Sequence, residues 1–319
     1  TYSYPEEYKG DVTAWIFPDI YLLYREGSWS AFMHLGIIGR GAIAAYNTST
    51  PMIDKAIIGY AAGVAASLTE NLVLLSTDGT LDAYSYFIGM TIGGAYRLNS
   101  MFSAGGGIRY VHAEQNTHLK YHFNNVTTDT SGNITAYPAF GDINVNVDAR
   151  GDSAGFIGSL DVKPSDDLNI GLRYEYYTTM KVTNDKPSEY EGPALLLESF
   201  PMDKGDYTKN TLPMNAAAGI SYMVMPQLKA EAGFIYYFNR LADWGRDSSG
   251  DDIAGKYDNG YDASVSLEYI FMPQLRGSIG YSHSVSGVNS RTRTNDMTGL
   301  DANAFAAGGT WTFSGGIDL

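Results

Sequence analysis

Charged side chains recur on one face of the strands predicted for the second half of the chain. Arg173 and Glu175 alternate with apolar residues, and Lys229 and Glu231 repeat the arrangement further on. Side chains two residues apart in a strand point to the same side of the sheet, so these pairs can form a ladder of ion pairs. A cation on this face could instead hold a ligand carboxylate. Because the ladder would occupy Arg173 and Lys229, Arg109 is our candidate for a ligand anion.

Signals for catalysis are poor. The five His residues include His112, His118 and His122, whose uneven spacing favours a solvated loop rim over a metal site. The chain has neither an H-E-x-x-H motif nor a phosphate-binding loop. It also contains no Cys, which excludes disulfides, thiolate metal sites and a cysteine nucleophile. We therefore expect a protein that is not an enzyme and that uses no metal or cofactor.

Composition describes a strand-rich chain. The 319 residues include 25 Tyr and 36 Gly, a profile that favours strands and turns over a helical enzyme. The formal net charge of −14 argues against a nucleic-acid partner, because neutralising phosphates requires clustered Lys and Arg. No run approaches the roughly eighteen consecutive apolar residues that a transmembrane helix needs.

The elements that must position the charged residues are hairpins. Two near-copies of one hairpin pattern, Ser221–Tyr237 and Glu268–Ser284, each place a Met-Pro-Gln turn between two aromatic-ended strands. Similar strand pairs recur along the chain, joined alternately by short and by long polar connections. This asymmetry is typical of outer-membrane barrels, whose turns are short on the periplasmic side and long outside. The sequence predicts one all-β domain over residues 1–319, a transmembrane antiparallel β-barrel with about eleven or twelve strands present.

Alternation also predicts which face meets lipid. The positions Phe102, Ile108 and Tyr110 carry no charge, whereas Arg109 and Asp161 fall on the opposite face. A barrel of eleven or more strands is too wide for side chains to fill, so an apolar outside and a polar inside fit a membrane better than water. We expect a monomer in the bacterial outer membrane, surrounded by membrane lipid and lipopolysaccharide.

Several apolar residues break the polar-inside rule. By alternation the lumen should contain Tyr21, Leu23, Phe32, Ile38, Ile157 and Ile235. A water-filled pore has no use for such residues. They could contact a hydrophobic ligand, or they could pack against a plug inside the barrel.

The first long connection predicts an amphipathic helix. Pro51 follows Ser49-Thr50 as the first residue of a helical turn, and apolar residues recur at helical spacing, among them Ile53, Ile57, Tyr60 and Val64. The apolar face of this helix could pack on another loop. Alternatively, it could form the wall of a groove through which a hydrophobic ligand arrives.

Three stretches of the chain resemble successive hairpins of the long-chain fatty acid outer-membrane transporter family, the FadL-like proteins. They are Ile92–Glu114, Leu168–Val182 and Leu212–Trp244, and Thr13–Gly41 is similar to that family's second and third strands. The resemblance implies a fourteen-stranded monomeric barrel with an N-terminal plug, which passes hydrophobic molecules without chemistry or energy input.

The resemblance also implies a lateral gap where the third strand kinks inward. The corresponding stretch is Leu35–Gly41, in which Gly36, Gly39 and Gly41 give the backbone freedom for a bulge. Without the resemblance, these glycines would be read as relieving the packing of a curved sheet.

The chain departs from the family pattern at both ends. It contains no Asn-Pro-Ala element of the kind that marks the family's plug, and fewer than fourteen strands can be counted. We expect that the plug and the terminal strands are missing from this sequence. Two other functions stay open, a general or substrate-selective diffusion porin and a structural or adhesive surface barrel.

Overall fold

A computed structural model describes residues 10–13, 18–47, 50–51, 55, 71–129, 131, 133–136, 142–185, 189–191, 203–247, 249–293 and 301–312. These parts contain sixteen strands and two short 3-10 helices, Asn239–Leu241 and Ala254–Lys256. The strands are β1 (Gly10–Thr13), β2 (Asp19–Glu26), β3 (Trp29–Tyr46), β4 (Asn71–Arg97), β5 (Phe102–Thr128), β6 (Ile134–Ala136), β7 (Ile143–Val162), β8 (Leu168–Tyr177), β9 (Lys181–Asn184), β10 (Glu189–Glu191), β11 (Tyr207–Lys209), β12 (Asn215–Met225), β13 (Leu228–Tyr237), β14 (Gly260–Met272), β15 (Leu275–Val285) and β16 (Ala302–Trp311).

All sixteen strands belong to one antiparallel sheet. Its main path runs β1-β3-β4-β5-β7-β8-β12-β13-β14-β15-β16. We call these eleven strands the wall strands. The remaining strands are separate pieces of these wall strands. For example, β2 and β1 pair with successive parts of β3, and β8 and β9 pair with successive parts of β7. The predicted all-β meander of about eleven strands is confirmed.

Connections between wall strands alternate in length as the sequence predicted. At one end of the sheet, Gly27 and Ser28 join β2 to β3, and Pro226 and Gln227 join β12 to β13. Gly27 has a φ of +56°, in the left-handed region where glycine is favoured. The other end carries longer connections, such as residues 238–259 between β13 and β14. We call these the short-turn end and the long-loop end.

The strand register separates a polar face from an apolar face. Arg173 on β8 pairs with Ser159 and Ala217, and the next pair along the wall joins Ile235 to Asp262. Leu172, the residue before Arg173 on β8, pairs with Leu160 and Ala218 on the other face. The apolar face keeps large hydrophobic side chains exposed, including Ile108, Tyr110, Phe156, Tyr174, Tyr222, Val265, Leu267 and Ile279. The sidedness predicted from alternation is therefore present in the sheet.

The strand β3 bends because two residues are inserted into its ladder. Its register to β4 shifts between Ile37 and Gly39 and again between Arg40 and Ala42. Each shift is a β-bulge, an extra residue that bends the strand that carries it. Both bulges fall on the stretch where the sequence predicted a bulge or kink. They set the geometry around the candidate site.

The amphipathic helix of the first long connection stays a prediction, because the described residues do not include Ile53, Ile57, Tyr60 and Val64. Among the residues that the structure does describe, no helix has the length and hydrophobicity needed to cross a membrane.

Candidate functional site

A buried carboxylate organises the polar face near the middle of the sheet. Both oxygens of Glu175, whose side chain is 5% exposed, accept bonds from cations: Arg109 Nη1 lies 3.0 Å from Oε2 and Arg173 Nε lies 3.2 Å from Oε1. Tyr177 Oη donates to Oε2 over 2.5 Å and accepts a 2.6 Å bond from Arg109 Nη1. Buried charges are tolerated when they are paired and hydrogen-bonded in this way.

The ion cluster forms across a strand because one residue between its members lacks a side chain. Arg109 on β5 pairs with Gly155 on β7, which pairs with Tyr177 on β8. A Cβ at Gly155 would lie 2.9 Å from the Tyr177 ring and 3.4 Å from the Cβ of Arg109. The guanidinium therefore reaches over β7 only because residue 155 is glycine. Thr91 completes the arrangement by accepting a 2.7 Å bond from Arg109 Nε.

Apolar side chains pack next to the ion cluster, on its long-loop side. Thr178–Met180 separates β8 from β9, and Met180 is anchored by a 3.0 Å bond from its amide to Thr211 Oγ1. Tyr177 belongs to both clusters, and Ile38 and Leu212 pack against the apolar one. The buried members of this apolar cluster are Phe87, Val111, Ala113, Ala149, Tyr177, Met180 and Val182. A water-filled pore is not expected to contain such a cluster.

A cavity of about 230 Å³ lies between the two clusters. It brings together three of the predicted ligand residues, Ile38, Arg109 and Ile235. The other residues lining it are Arg173, Glu175, Tyr177, Leu212, Pro213, Asn215 and Tyr237. Alternation could not have found Leu212 and Pro213, because they belong to the segment that precedes β12 rather than to a strand.

The remaining predicted ligand residues lie on the same face but outside this cavity. Leu23, Phe32 and Ile157 occupy one row, in which Phe32 pairs with Gly93 and Gly93 with Gly107. Tyr21 stacks on His34, with ring centroids 4.4 Å apart. Contact of these residues with a ligand stays a prediction.

The cationic side chains on the polar face differ in their hydrogen-bond and ion-pair partners and in their exposure. Arg109 is 12% exposed and is engaged by Thr91, Glu175 and Tyr177. Lys229 lies between Glu231 and Glu268, 3.2 Å from each carboxylate, as the predicted ladder requires. Arg173 Nε lies 3.2 Å from Glu175 Oε1, and the Arg173 side chain is 46% exposed. By geometry, Arg173 is more accessible to a ligand than Arg109.

The bulged part of β3 pairs with β4 on one side. On the other side, Gly36 pairs with Asp19 and Ile43 pairs with Thr13, and residues 14–17 between these partners lie outside the described residues. Asp19 also accepts a 2.8 Å contact from His34, and its carboxylate occupies the space that a Cβ at Gly36 would need. A Cβ at Gly39 would lie 3.3 Å from Leu212 and 3.4 Å from Phe87, so the kink approaches the apolar cluster.

A larger depression, about 820 Å³, lies on the apolar face, and none of the ion-cluster residues lines it. Its walls are exposed side chains of β12 to β16, including Tyr222, Val265, Leu267 and Phe305. It is continuous with the apolar band. Size alone does not make it the functional site, because it lacks the convergent polar groups that orient a ligand.

Known catalytic and metal arrangements are not found in the described parts of the chain. No group of three or more His, Asp and Glu side chains there could hold a metal ion. Gly151–Gly155 has the G-x-S-x-G spacing of a hydrolase nucleophile, but this motif requires a sharp turn between a strand and a helix. The structure places Ser153 inside the continuous strand β7, with its Oγ buried and unpaired.

Comparisons with known proteins give structural likenesses. No family model matches the chain, and no curated protein matches its sequence. The fold is similar to the Ralstonia pickettii toluene transporter TbuX, with a TM-score of 0.60 and 10% identity over 97% of this chain and 79% of that one. The P. putida toluene transporter TodX gives 0.59 and 13% over 97% and 78%. A Pseudomonas aeruginosa FadL homologue gives 0.57 and 12% over 91% and 67%.

These likenesses define the class of protein by its fold, an antiparallel outer-membrane β-barrel. More closely, the chain has the fold of the FadL-like channels for hydrophobic compounds, so the predicted resemblance is confirmed at the level of the fold. In this fold the polar face lines the lumen and the apolar face meets lipid. Among the described residues β2 and β16 pair on one side only, so closure of the barrel is not part of the described structure.

Proposed function

We propose that this protein is a bacterial outer-membrane channel for the passive uptake of hydrophobic molecules, such as long-chain fatty acids or aromatic hydrocarbons. The ligand leaves the lumen sideways, beside residues 37–42 of β3. The observation that carries the proposal is the double bulge of β3, where Gly39 lies next to Phe87 and Leu212 of the apolar cluster in the lumen. Membrane lipid and lipopolysaccharide surround the barrel.

A lateral exit suits the chemistry of such a ligand. An apolar molecule gains nothing by crossing a water-filled pore, whereas an apolar route keeps it out of water throughout. The cavity beside Ile38 and Leu212 offers the start of such a route, and Gly39 lies next to Leu212 at the bulged part of β3. The solved proteins described as toluene transporters share this fold, which supports the same class of cargo here.

A diffusion porin is the less supported function. Its lumen would carry charges around an open water path, and the ion cluster of Arg109, Arg173 and Glu175 would suit it. The apolar cluster around Phe87 and Met180 argues the other way, because side chains that are 1% and 0% exposed pack against each other on the lumen face instead of lining an open water path. The proposed channel performs no catalysis.

Gly39→Val tests the lateral route. The branched side chain would meet Leu212 and Phe87 and would fill the inner side of the kink. We expect protein-dependent uptake of labelled toluene and of a labelled long-chain fatty acid into vesicles to fall at least fivefold. Gly171→Val is the matched control, since a Cβ there has no neighbour within 4 Å and the residue faces the same lumen.

A small sugar provides the opposing readout in the same vesicles. Sugar flux without uptake of the apolar solutes would make the protein a porin and would refute the proposal. Equal uptake of the apolar solutes by the Gly39 and Gly171 variants would refute the route beside β3.

A further inference from the structure

A tyrosine, a histidine and a side-chain oxygen form a hydrogen-bonded triad on the lipid-facing side of the wall. Tyr110 and His112 on β5 meet Asp152 on β7, the residue that pairs with His112. Tyr110 Oη donates to Asp152 Oδ1, and His112 Nδ1 lies 2.9 Å from the same oxygen. Ile108, two residues before Tyr110, is 54% exposed on the same face. We call these three polar residues the β5 triad.

The same arrangement recurs far along the chain. Tyr281 and His283 on β15 meet Asn303 on β16, the residue that pairs with His283. Tyr281 Oη donates to Asn303 Oδ1 over 2.7 Å, and His283 Nδ1 lies 3.0 Å from that oxygen. We call these residues the β15 triad. The two triads share the order Tyr-x-His in one strand and a single acceptor oxygen in the next, so the unit is repeated in this wall.

Both triads lie where the apolar band ends on the long-loop side. His112 is ten residues from the start of β5, and His283 is eight residues from the start of β15. A strand rises about 3.3 Å per residue, so at a tilt of about 40° these residues lie roughly 20–25 Å above the short turns. The lipid-facing band of such a barrel is about 25 Å tall. Beyond His112 the same face of β5 carries Glu114, which lies 3.6 Å from Arg150.

Each triad fixes the orientation of its histidine ring. An ionised carboxylate oxygen and an amide oxygen can only accept a hydrogen bond, so Nδ1 of both His112 and His283 carries the hydrogen. Nε2 of either ring has no hydrogen-bond partner among the described residues, and the His112 side chain is 34% exposed. Protonation of the ring therefore makes Nε2 a charged donor that points away from the acceptor oxygen. Each triad offers this one donor to its surroundings.

The charge next to the β5 triad suits an anion. Asp152 is negative, but it accepts from His112 on one side and pairs along the ladder with Lys181 on the other. Strand partners share a face, so Lys181 adds a cation on the lipid-facing side. The β15 triad contains no carboxylate, because Asn303 replaces the aspartate.

The membrane layer at this height identifies the partner. The long-loop end of an outer-membrane barrel is extracellular, so both triads lie at the headgroup level of the outer leaflet. Lipopolysaccharide forms that leaflet, and its headgroup is a phosphorylated sugar. A protonated imidazole donates a charge-assisted hydrogen bond to phosphate, and tyrosine hydroxyls suit the interface. We propose that the β5 triad and the β15 triad bind phosphate groups of lipopolysaccharide. This inference rests on the outer-membrane placement in the proposed function.

A variant that keeps the aromatic rings but removes their nitrogens tests the inference. Binding of purified rough lipopolysaccharide to the full chain in detergent is measured by thermophoresis, beside the same lipid dephosphorylated with hydrofluoric acid. We expect the phosphorylated form to bind about tenfold more tightly, the order expected for a hydrogen bond between charged groups. In His112→Phe/His283→Phe this ratio should fall to about two or less, because phenylalanine fits the interface but cannot donate.

His118→Phe/His122→Phe is the matched control. Both residues lie on the same face of β5 and also meet side-chain oxygens: His118 Nε2 lies 3.2 Å from Asn144 Oδ1, and His122 Nδ1 lies 2.8 Å from Asp142 Oδ1. They are six and ten residues beyond His112, above the headgroup level, so this variant should keep the tenfold ratio. A heat-modified shift in gel mobility verifies that each variant is folded.

Three results would overturn the inference: equal binding of the two lipid forms by the unaltered chain, a tenfold ratio that survives His112→Phe/His283→Phe, or an equal loss in the control variant. Phosphatidylglycerol bound as tightly as lipopolysaccharide would also overturn it, because the triads would then not select this lipid.

The proposed function fails separately, since toluene uptake can be measured in phospholipid vesicles without lipopolysaccharide. Uptake that depends on Gly39, together with no preference for the phosphorylated lipid, would remove only the lipid sites. A phosphate preference that depends on His112 and His283, without any protein-dependent uptake, would remove the channel and leave the sites.

Discussion

Replacing Glu175 with leucine is expected to lower the free energy of unfolding by about 3–5 kcal/mol, the usual cost of leaving a buried charge without its partner. The residue left behind is Arg109, whose side chain is only 12% exposed and whose remaining contacts, Thr91 and Tyr177, are neutral. Urea unfolding of the protein in lipid vesicles, followed by tryptophan fluorescence, measures the change.

Glu231→Leu is the matched control for this prediction. Glu231 is also lumenal and also pairs with a cation, but its side chain is 42% exposed and Lys229 keeps Glu268. We expect a change of about 1 kcal/mol or less, as for other exposed pairs. The double variant Arg109→Leu/Glu175→Leu should recover most of the stability, since a well-packed apolar pair often replaces a buried ion pair without loss. Equal losses for Glu175→Leu and Glu231→Leu would contradict the view that burial makes the Arg109 cluster special.

An arginine at position 265 is expected to be the most damaging change on the apolar face. Val265 lies midway along β14 and is 55% exposed, so in the membrane it meets the hydrocarbon core. A charged residue at the midplane of a barrel's lipid face costs roughly 2–4 kcal/mol. We expect Val265→Arg to lose that amount of folding free energy in vesicles.

The adjacent residue provides the control. Ser266 points into the lumen, where its hydroxyl lies 3.4 Å from Glu231, so an arginine there gains an acidic neighbour and remains in water. Ser266→Arg should therefore change stability by less than about 1 kcal/mol. If both arginines were tolerated equally, the assignment of the apolar face to lipid would be wrong.

Strand order and sidedness could be predicted from sequence because they depend on neighbours in the chain. Alternation fixes which residues share a face, and the distinction between Leu172 and Arg173 needs no knowledge of other strands. The short Met-Pro-Gln turns mark which strands are consecutive. The same information identified Ile38, Arg109 and Ile235 as lumenal, and the structure places all three on one cavity.

Contacts across the lumen could not be predicted in this way. The bond between Arg109 and Glu175 joins residues 66 apart and depends on a glycine in a third strand, Gly155. Met180 and Leu212 enter the lumen from segments between strands, where alternation has no meaning. The one sequence signal for the bond between Arg109 and Glu175 was a glycine, Gly155, on the charged face. Many glycines in this chain are present for other reasons, so this one does not stand out.

The double bulge of β3 has a consequence for the whole strand. Gly36 pairs with Gly89 and Tyr46 pairs with Leu81, so even-numbered residues of β3 meet odd-numbered residues of β4 at both ends. Between the insertions the phase is reversed, because Gly39 pairs with Phe87. Each bulge absorbs its extra residue, because paired residues share a face of the sheet and the pairing resumes beyond the bulge. Strict alternation counted from Gly36 would assign Gly39 to the lipid face, whereas its pairing with Phe87 places it on the lumen face. After the second bulge the alternation returns to the phase it had before the first.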